Sequence, residues 1–291
     1  MVNTLVFTIA FGLLMLVTSL ITSNISALLQ NTETYNANLK RIVESINATF
    51  NIDVTKQITS SVEGFDYAAA LGNIADGLSG ALGNLIMIIL YAVFILTEET
   101  SLKNKIKKMF SNEHEYSRVS AILNRINDSS ADYIRLKTYV SLLTGLVGYV
   151  LLALIGVEAA FFWAFLMFAL NYIPTIGSLI ATVFPAVFSL MQFGDLNVFL
   201  VILIGVGVAE WLIGNVIEPR IMGKSLNLSP LVTILALVVW GQIWGITGML
   251  LSTPITVVMV IVCSQFESTR GVAILLSENG DIDDVFDDAQ N

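Results

Sequence analysis

Glu210 is the residue of this chain whose type and position could do the most demanding chemistry. It lies seven residues inside an apolar run that ends at Ile217, and Gly205, Gly207 and Gly214 surround it in sequence. A carboxyl at membrane depth is expensive to keep, so it marks a proton or ion site by default. Glu218, at the polar exit of the same run, is the second candidate for proton or ion coupling. Neutral hydrogen-bonding residues gather at two Pro/Gly-rich interruptions: Asn171, Tyr172 and Thr175 at the first, and Gln242, Trp244 and Thr247 at the second. Groups of this kind suit a small polar ligand held inside a bilayer, and they equally suit the unpaired backbone of an interrupted helix. Enzyme chemistry finds no footing. His114 is the single histidine and stands in a polar stretch far from any nucleophile setting. Gly223-Lys224-Ser225 ends like a phosphate-binding loop, but Glu218 occupies the position where that loop requires glycine. One cysteine, Cys263, and no Cys/His cluster leave neither an internal disulfide nor a metal framework, and no cofactor is expected.

The elements that must position these residues are apolar helices. Of the 291 residues 55% are hydrophobic and 13% charged, with a mean hydropathy of +0.78; a soluble domain carries roughly 25% charge. No charge precedes Glu33, and the intervals 77–97, 138–157, 159–194 and 225–266 are charge-free. About 20 apolar residues in a helix cross the hydrocarbon core, so these intervals hold one or two crossings each. The expected fold is all-α: polytopic transmembrane helices with two inverted, Pro/Gly-broken hairpins.

The organisation reads as a first span at 2–22, an external amphipathic segment at 23–80 and a second span at 81–97. A basic cytoplasmic or interfacial segment follows at 98–137, then a transport core at 138–263 and an acidic tail at 264–291. Within 23–80 an apolar stripe, Leu39, Ile42, Val43, Ile46 and Phe50, predicts a helix lying on the membrane or on a neighbour. Eight of the fourteen basic residues fall in 98–137, which places that segment in the cytoplasm and beside anionic membrane lipid. The net charge of −9 owes much to seven acidic residues in the last 28 positions, read as a solvated tail, and argues against nucleic acid.

Two hairpins are expected inside the core, at 160–193 and 230–263. Pro174, Gly177 and Pro185 interrupt the first; Gly241, Gly245 and Pro254 interrupt the second. Their first arms, 160–170 and 231–239, are too short to reach the far side, because a dozen residues rise only about 17 Å. Non-helical backbone at that depth must be buried in protein or line a wet cavity. One hairpin enters from outside and the other from inside, an inverted pair of the kind that places a transport site near the midplane.

The motifs Asn171-Tyr172-Ile173-Pro174-Thr175-Ile176-Gly177 with Pro185, Glu218-Pro219-Arg220-Ile221-Met222-Gly223-Lys224-Ser225, and Trp240-Gly241 through Pro254 resemble the autoinducer-2 exporter family of bacterial membrane transporters. Gly271-Val272-Ala273-Ile274-Leu275-Leu276-Ser277 is similar to that family's ending. The resemblance implies eight membrane segments, a pentameric homo-oligomer in the bacterial cytoplasmic membrane, and export of a small polar signal such as autoinducer-2 with proton or sodium coupling. It also implies two spans ahead of residue 2 that this chain lacks. A sodium/proton antiporter is the alternative, in which Glu210 and Glu218 carry more of the work than the neutral tip residues. A membrane scaffold without transport, built on 23–80 and 98–137, is the reading from a different class.

Overall fold

The computed structural model describes residues 2–50, 112–222 and 228–280, with scattered positions between 72 and 110. The second span expected at 81–97, residues 51–71, residues 223–227 and residues 281–291 lie wholly or largely outside this description. Among the described residues the chain is helical, apart from an isolated bridge between Leu228 and Ser277. In chain order the helices are α1 (Val2–Gln30), α2 (Thr32–Phe50), α3 (Glu113–Ile155), α4 (Ala160–Leu170), α5 (Ile176–Phe193) and α6 (Leu196–Leu212). A π-turn (Ile213–Ile217), α7 (Glu218–Met222), α8 (Pro230–Ser264) and α9 (Arg270–Leu276) complete them. Among the described residues, four stretches are long and apolar enough to cross a membrane: Glu113–Ile155, Ile176–Phe193, Leu196–Met222 and Pro230–Ser264.

Many large apolar side chains face outward, unlike those of a soluble protein. Leu154 is 81% exposed and Ile204 61%, whereas Ser141, Ser189 and Ser252 are fully buried. Lipid is as apolar as leucine, so small and hydroxyl residues pack inward where they bond to one another and to backbone. Several boundaries extend beyond the sequence reading. α1 continues to Gln30 instead of ending near 22, and α3 runs unbroken through the division expected at 137. Helix hydrogen bonding does not stop where side-chain polarity changes.

The chain forms two compact units. In the first (1–102, 146–166 and 181–208), Asn31, Tyr35 and Asn38 fall at helical spacing and share one face. Glu158 accepts from Tyr35 Oη at 2.5 Å and from Asn31 Nδ2 at 3.1 Å. Asn38 Nδ2 donates to the Met191 and Gln192 carbonyls at 3.0 and 2.7 Å. Burial, then the Glu158 carboxylate beside it, pushes the Tyr35 hydroxyl above its ordinary pKa. The buried face carries Tyr35, Asn38 and Ile42; of the stripe read in the sequence, Ile42 is buried and Leu39 half-buried, and the side chains of Val43, Ile46 and Phe50 lie outside the description.

The second unit (103–145, 167–180 and 209–291) holds an apolar cluster of Leu228, Val257, Val260, Ile261 and Ala273, packed against Ile122 and Ile126 of α3. Residues 264–291 were expected to form a solvated acidic tail. Arg270–Leu276 form α9 instead, and Ser229 N–H donates to the Leu276 carbonyl at 3.1 Å. Ala273 is fully buried, so apolar residues in this acidic region have a core to join.

Candidate functional site

One face of α3 carries Tyr133, Lys137, Ser141 and Thr144, at spacings of four, four and three residues. All four are buried. The Lys137 ammonium lies 2.5 Å from Glu218 Oε1, with side-chain exposures of 6% and 21%. Removing either partner of such a pair strands a buried charge, at a cost of about 3–5 kcal/mol. Tyr133 hydrogen-bonds Thr253, and Glu218 and Tyr172 both lie within electrostatic reach of its hydroxyl.

The π-turn sets the register of the two acidic residues. The Glu218 N–H donates to the Ile213 carbonyl, five residues back, instead of four. In an unbroken α-helix, eight residues would turn Glu218 about 80° away from Glu210. A π-turn absorbs one extra residue, which brings the two within about 20° of a common face. Glu210 is 8% exposed, and among the described residues its Oε1 has no hydrogen-bond partner. Lys137 and Glu218 are within electrostatic reach of it. The structure thus brings both predicted coupling residues together with a lysine that sequence reading placed in the cytoplasmic segment. The signal for it was present: Tyr133, Lys137, Ser141 and Thr144 repeat at helical spacing across the edge of a charge-free interval.

The first break joins α4 to α5 through residues 171–175. Asn171 Nδ2 donates to Ser141 Oγ at 3.0 Å, with both residues buried. Thr138 Oγ1 gives its single proton to the Ile134 carbonyl, so Tyr172 donates in its 2.7 Å contact with Thr138. Thr175 holds φ +63°, a left-handed conformation that a β-branched residue adopts only under constraint. A Cβ on Gly177 would stand 1.8 Å from the Leu170 carbonyl oxygen. Seven residues of straight helix would separate those positions by about 10 Å, so the chain reverses here.

The second break has a different construction. α8 is helical on both sides of Gly245, whose φ of 62° and ψ of −140° belong almost solely to glycine. A Cβ on Gly248 would stand 1.8 Å from the Trp240 carbonyl oxygen, so this chain also doubles back. Gln242, Trp244 and Thr247 are exposed around the turn, and the Trp240 and Trp244 rings lie 5.4 Å apart. Among the described residues, no hydrogen bond or ion pair joins these three to the Lys137 cluster.

Of the residues expected to break the helices, Pro174 lies in the first turn, Gly177 just after it, and Gly245 at the second turn. Gly241, Pro185 and Pro254 do not break anything. Gly241 belongs to a first arm that stays helical past 239, and both prolines lie inside continuous helices. A proline removes one ladder donor, a loss that a helix packed among hydroxyl groups tolerates. Beside Pro254, Ser252 Oγ donates to the Met249 carbonyl and Thr256 Oγ1 to the Ser252 carbonyl.

A family profile described as AI-2E family transporter matches residues 1–268 of this chain. The chain belongs to the AI-2E transporter family. Its similarity to AI-2 transport protein TqsA of Escherichia coli (strain K12) is 38% identity over 208 residues, 72% of this chain and 59% of that protein. A Haemophilus influenzae protein assigned provisionally to transport by its name is 34% identical over 239 residues, 81% of this chain and 68% of its own length. A Borreliella burgdorferi protein, similarly named, is 30% identical over 254 residues, 87% of this chain and 70% of its own length. The chain therefore spans 59% to 70% of these relatives. As a member of the AI-2E family with helices able to cross a membrane, it is a bacterial inner-membrane protein, and its relatives are named as transport proteins and not as enzymes.

Proposed function

We propose that this AI-2E family chain is a secondary transporter that exports a small polar metabolite such as autoinducer-2, with a proton carried through Glu210. The observation that carries this reading is Glu210 itself: a buried carboxyl with an unpartnered oxygen, on a face shared with Glu218 and beside Lys137. The 38% identity to a protein named for AI-2 transport supports the choice of substrate. Gln242, Trp244 and Thr247, exposed at the second turn, supply the substrate contacts, while Asn171, Tyr172 and Thr175 hold the first turn in shape. The working form is a homo-oligomer, a pentamer, with the basic segment 98–137 facing the cytoplasm.

Proteoliposomes loaded with labelled autoinducer-2 under a proton gradient test the reading. Glu210→Gln keeps the side chain's shape and removes its titration. Gradient-driven accumulation should vanish while passive counterflow persists. Parental accumulation in that variant would end the proposed coupling role. Two carboxyls brought onto one helical face favour a second reading, a sodium/proton antiporter. In that case Glu210→Gln eliminates sodium-dependent proton movement, and no organic substrate competes.

A further inference from the structure

Two carboxyls and one lysine share a buried region, so the cation can neutralise only one acid at a time. The 2.5 Å contact shows which acid it serves: Glu218. Glu210, more deeply buried, keeps an oxygen without a partner among the described residues. The two acids share a face only because the π-turn absorbs a residue between them.

We propose that Lys137 is a positioning residue of the coupling site, whose ion pair with Glu218 keeps that acid ionised and leaves Glu210 as the single group that binds and releases the proton. The inference rests on the coupling role given to Glu210 above. With Glu210 protonated, Lys137 and Glu218 cancel and the cluster is neutral. When the proton leaves the Glu210 oxygen for water, the cluster carries one negative charge, and the nearby Lys137 ammonium holds it at tolerable cost. Among the described residues, the other ionisable groups tied to the cluster are Tyr133 on α3, within reach of Glu218, and Tyr172 at the first turn, within reach of Tyr133; neither is a cation. A lysine in this place therefore acts as a brake on Glu218 and a support for ionised Glu210.

Infrared titration of the full chain in liposomes reads the protonated carboxyl directly, with the parent-minus-Glu210→Gln difference isolating one band. Glu218→Gln frees Lys137 to face Glu210, so the midpoint of that band should fall by about one pH unit or more. Lys137→Met removes the cation and should raise the midpoint by a similar amount. Lys137→Arg should restore the parental value. If a single charge removal prevents folding, the double variant Lys137→Met, Glu218→Gln removes both charges together. Its Glu210 midpoint should lie above that of the parent but by less than in Lys137→Met, because the lost Lys137 cation acts on Glu210 more strongly than the lost Glu218 anion. Unmoved midpoints in these variants, or a difference spectrum with no titrating band, would overturn the assignment. Shifted midpoints with parental accumulation in Glu210→Gln would instead retain the cluster and remove its role in transport. Unmoved midpoints with accumulation lost in Glu210→Gln would do the reverse.

Discussion

The two helix reversals answer the same physical problem in opposite ways. At the first, five residues leave the helix and two of their polar side chains turn inward, Asn171 to Ser141 and Tyr172 to Thr138, while Thr175 is exposed. At the second, one glycine makes the turn, and Gln242, Trp244 and Thr247 face outward. Both place a glycine on the returning arm against a carbonyl of the first arm, Gly177 against Leu170 and Gly248 against Trp240. The shared glycine reflects the closeness of the two arms. The difference lies in whether the polar side chains are received by the protein or left exposed, and a polar residue at a helix break does not by its type reveal which.

The largest effects should come from what the two turns have in common. Gly177→Ala and Gly248→Ala each drive a methyl into backbone that has no flexible end to yield. Each should cost about 3 kcal/mol or more, at the top of the overpacking range, and show as a lower thermal midpoint in detergent. If one is tolerated, the two reversals are not equivalent in packing.

The next effects separate the turns. Asn171→Ala removes the donor that satisfies buried Ser141 and should destabilise by about 1–3 kcal/mol. Gln242→Ala should change stability by less than about 0.5 kcal/mol, yet weaken substrate binding in a counterflow assay. Reversed results, with Asn171→Ala stable and defective in binding, would interchange the roles assigned to the turns.

Backbone strain offers a subtler contrast. Thr175→Gly relieves a left-handed β-branched residue and should stabilise by about 1 kcal/mol, whereas Gly245→Ala imposes strain and should destabilise by about 1–3 kcal/mol. Tyr172→Phe deletes one hydrogen bond and should cost about 1 kcal/mol, readable in the same melting assay. Parallel Trp244→Phe should leave the melt unchanged within about 0.5 kcal/mol.

Much of the architecture was legible in residue order, because membrane crossings are set by length and charge exclusion. The arm 160–170 coincides with α4, and Pro174 and Gly245 stand where the helices stop. Pro185 and Pro254 misled, since a proline in sequence looks the same whether the helix around it is packed or bare. The site was half legible. Glu210 and Glu218 stood out as acids in apolar surroundings, but Lys137 was absorbed into a count of basic residues that marked a cytoplasmic segment.

Sequence by itself determined the all-helical membrane class, the positions of both interruptions and the acids near the core, since each follows from local composition and the length of helix that a bilayer demands. Only tertiary structure decided that Lys137 pairs with Glu218, that a π-turn aligns Glu210 with Glu218, that the first turn is held from within while the second is exposed, and that residues 270–276 pack as a helix. Those outcomes depend on which neighbour a side chain meets across a gap in sequence of up to 81 residues, as between Lys137 and Glu218. Periodicity places a residue on a face. What lies opposite that face is settled by packing, because burial and pairing are properties of two surfaces and a sequence pattern describes only one.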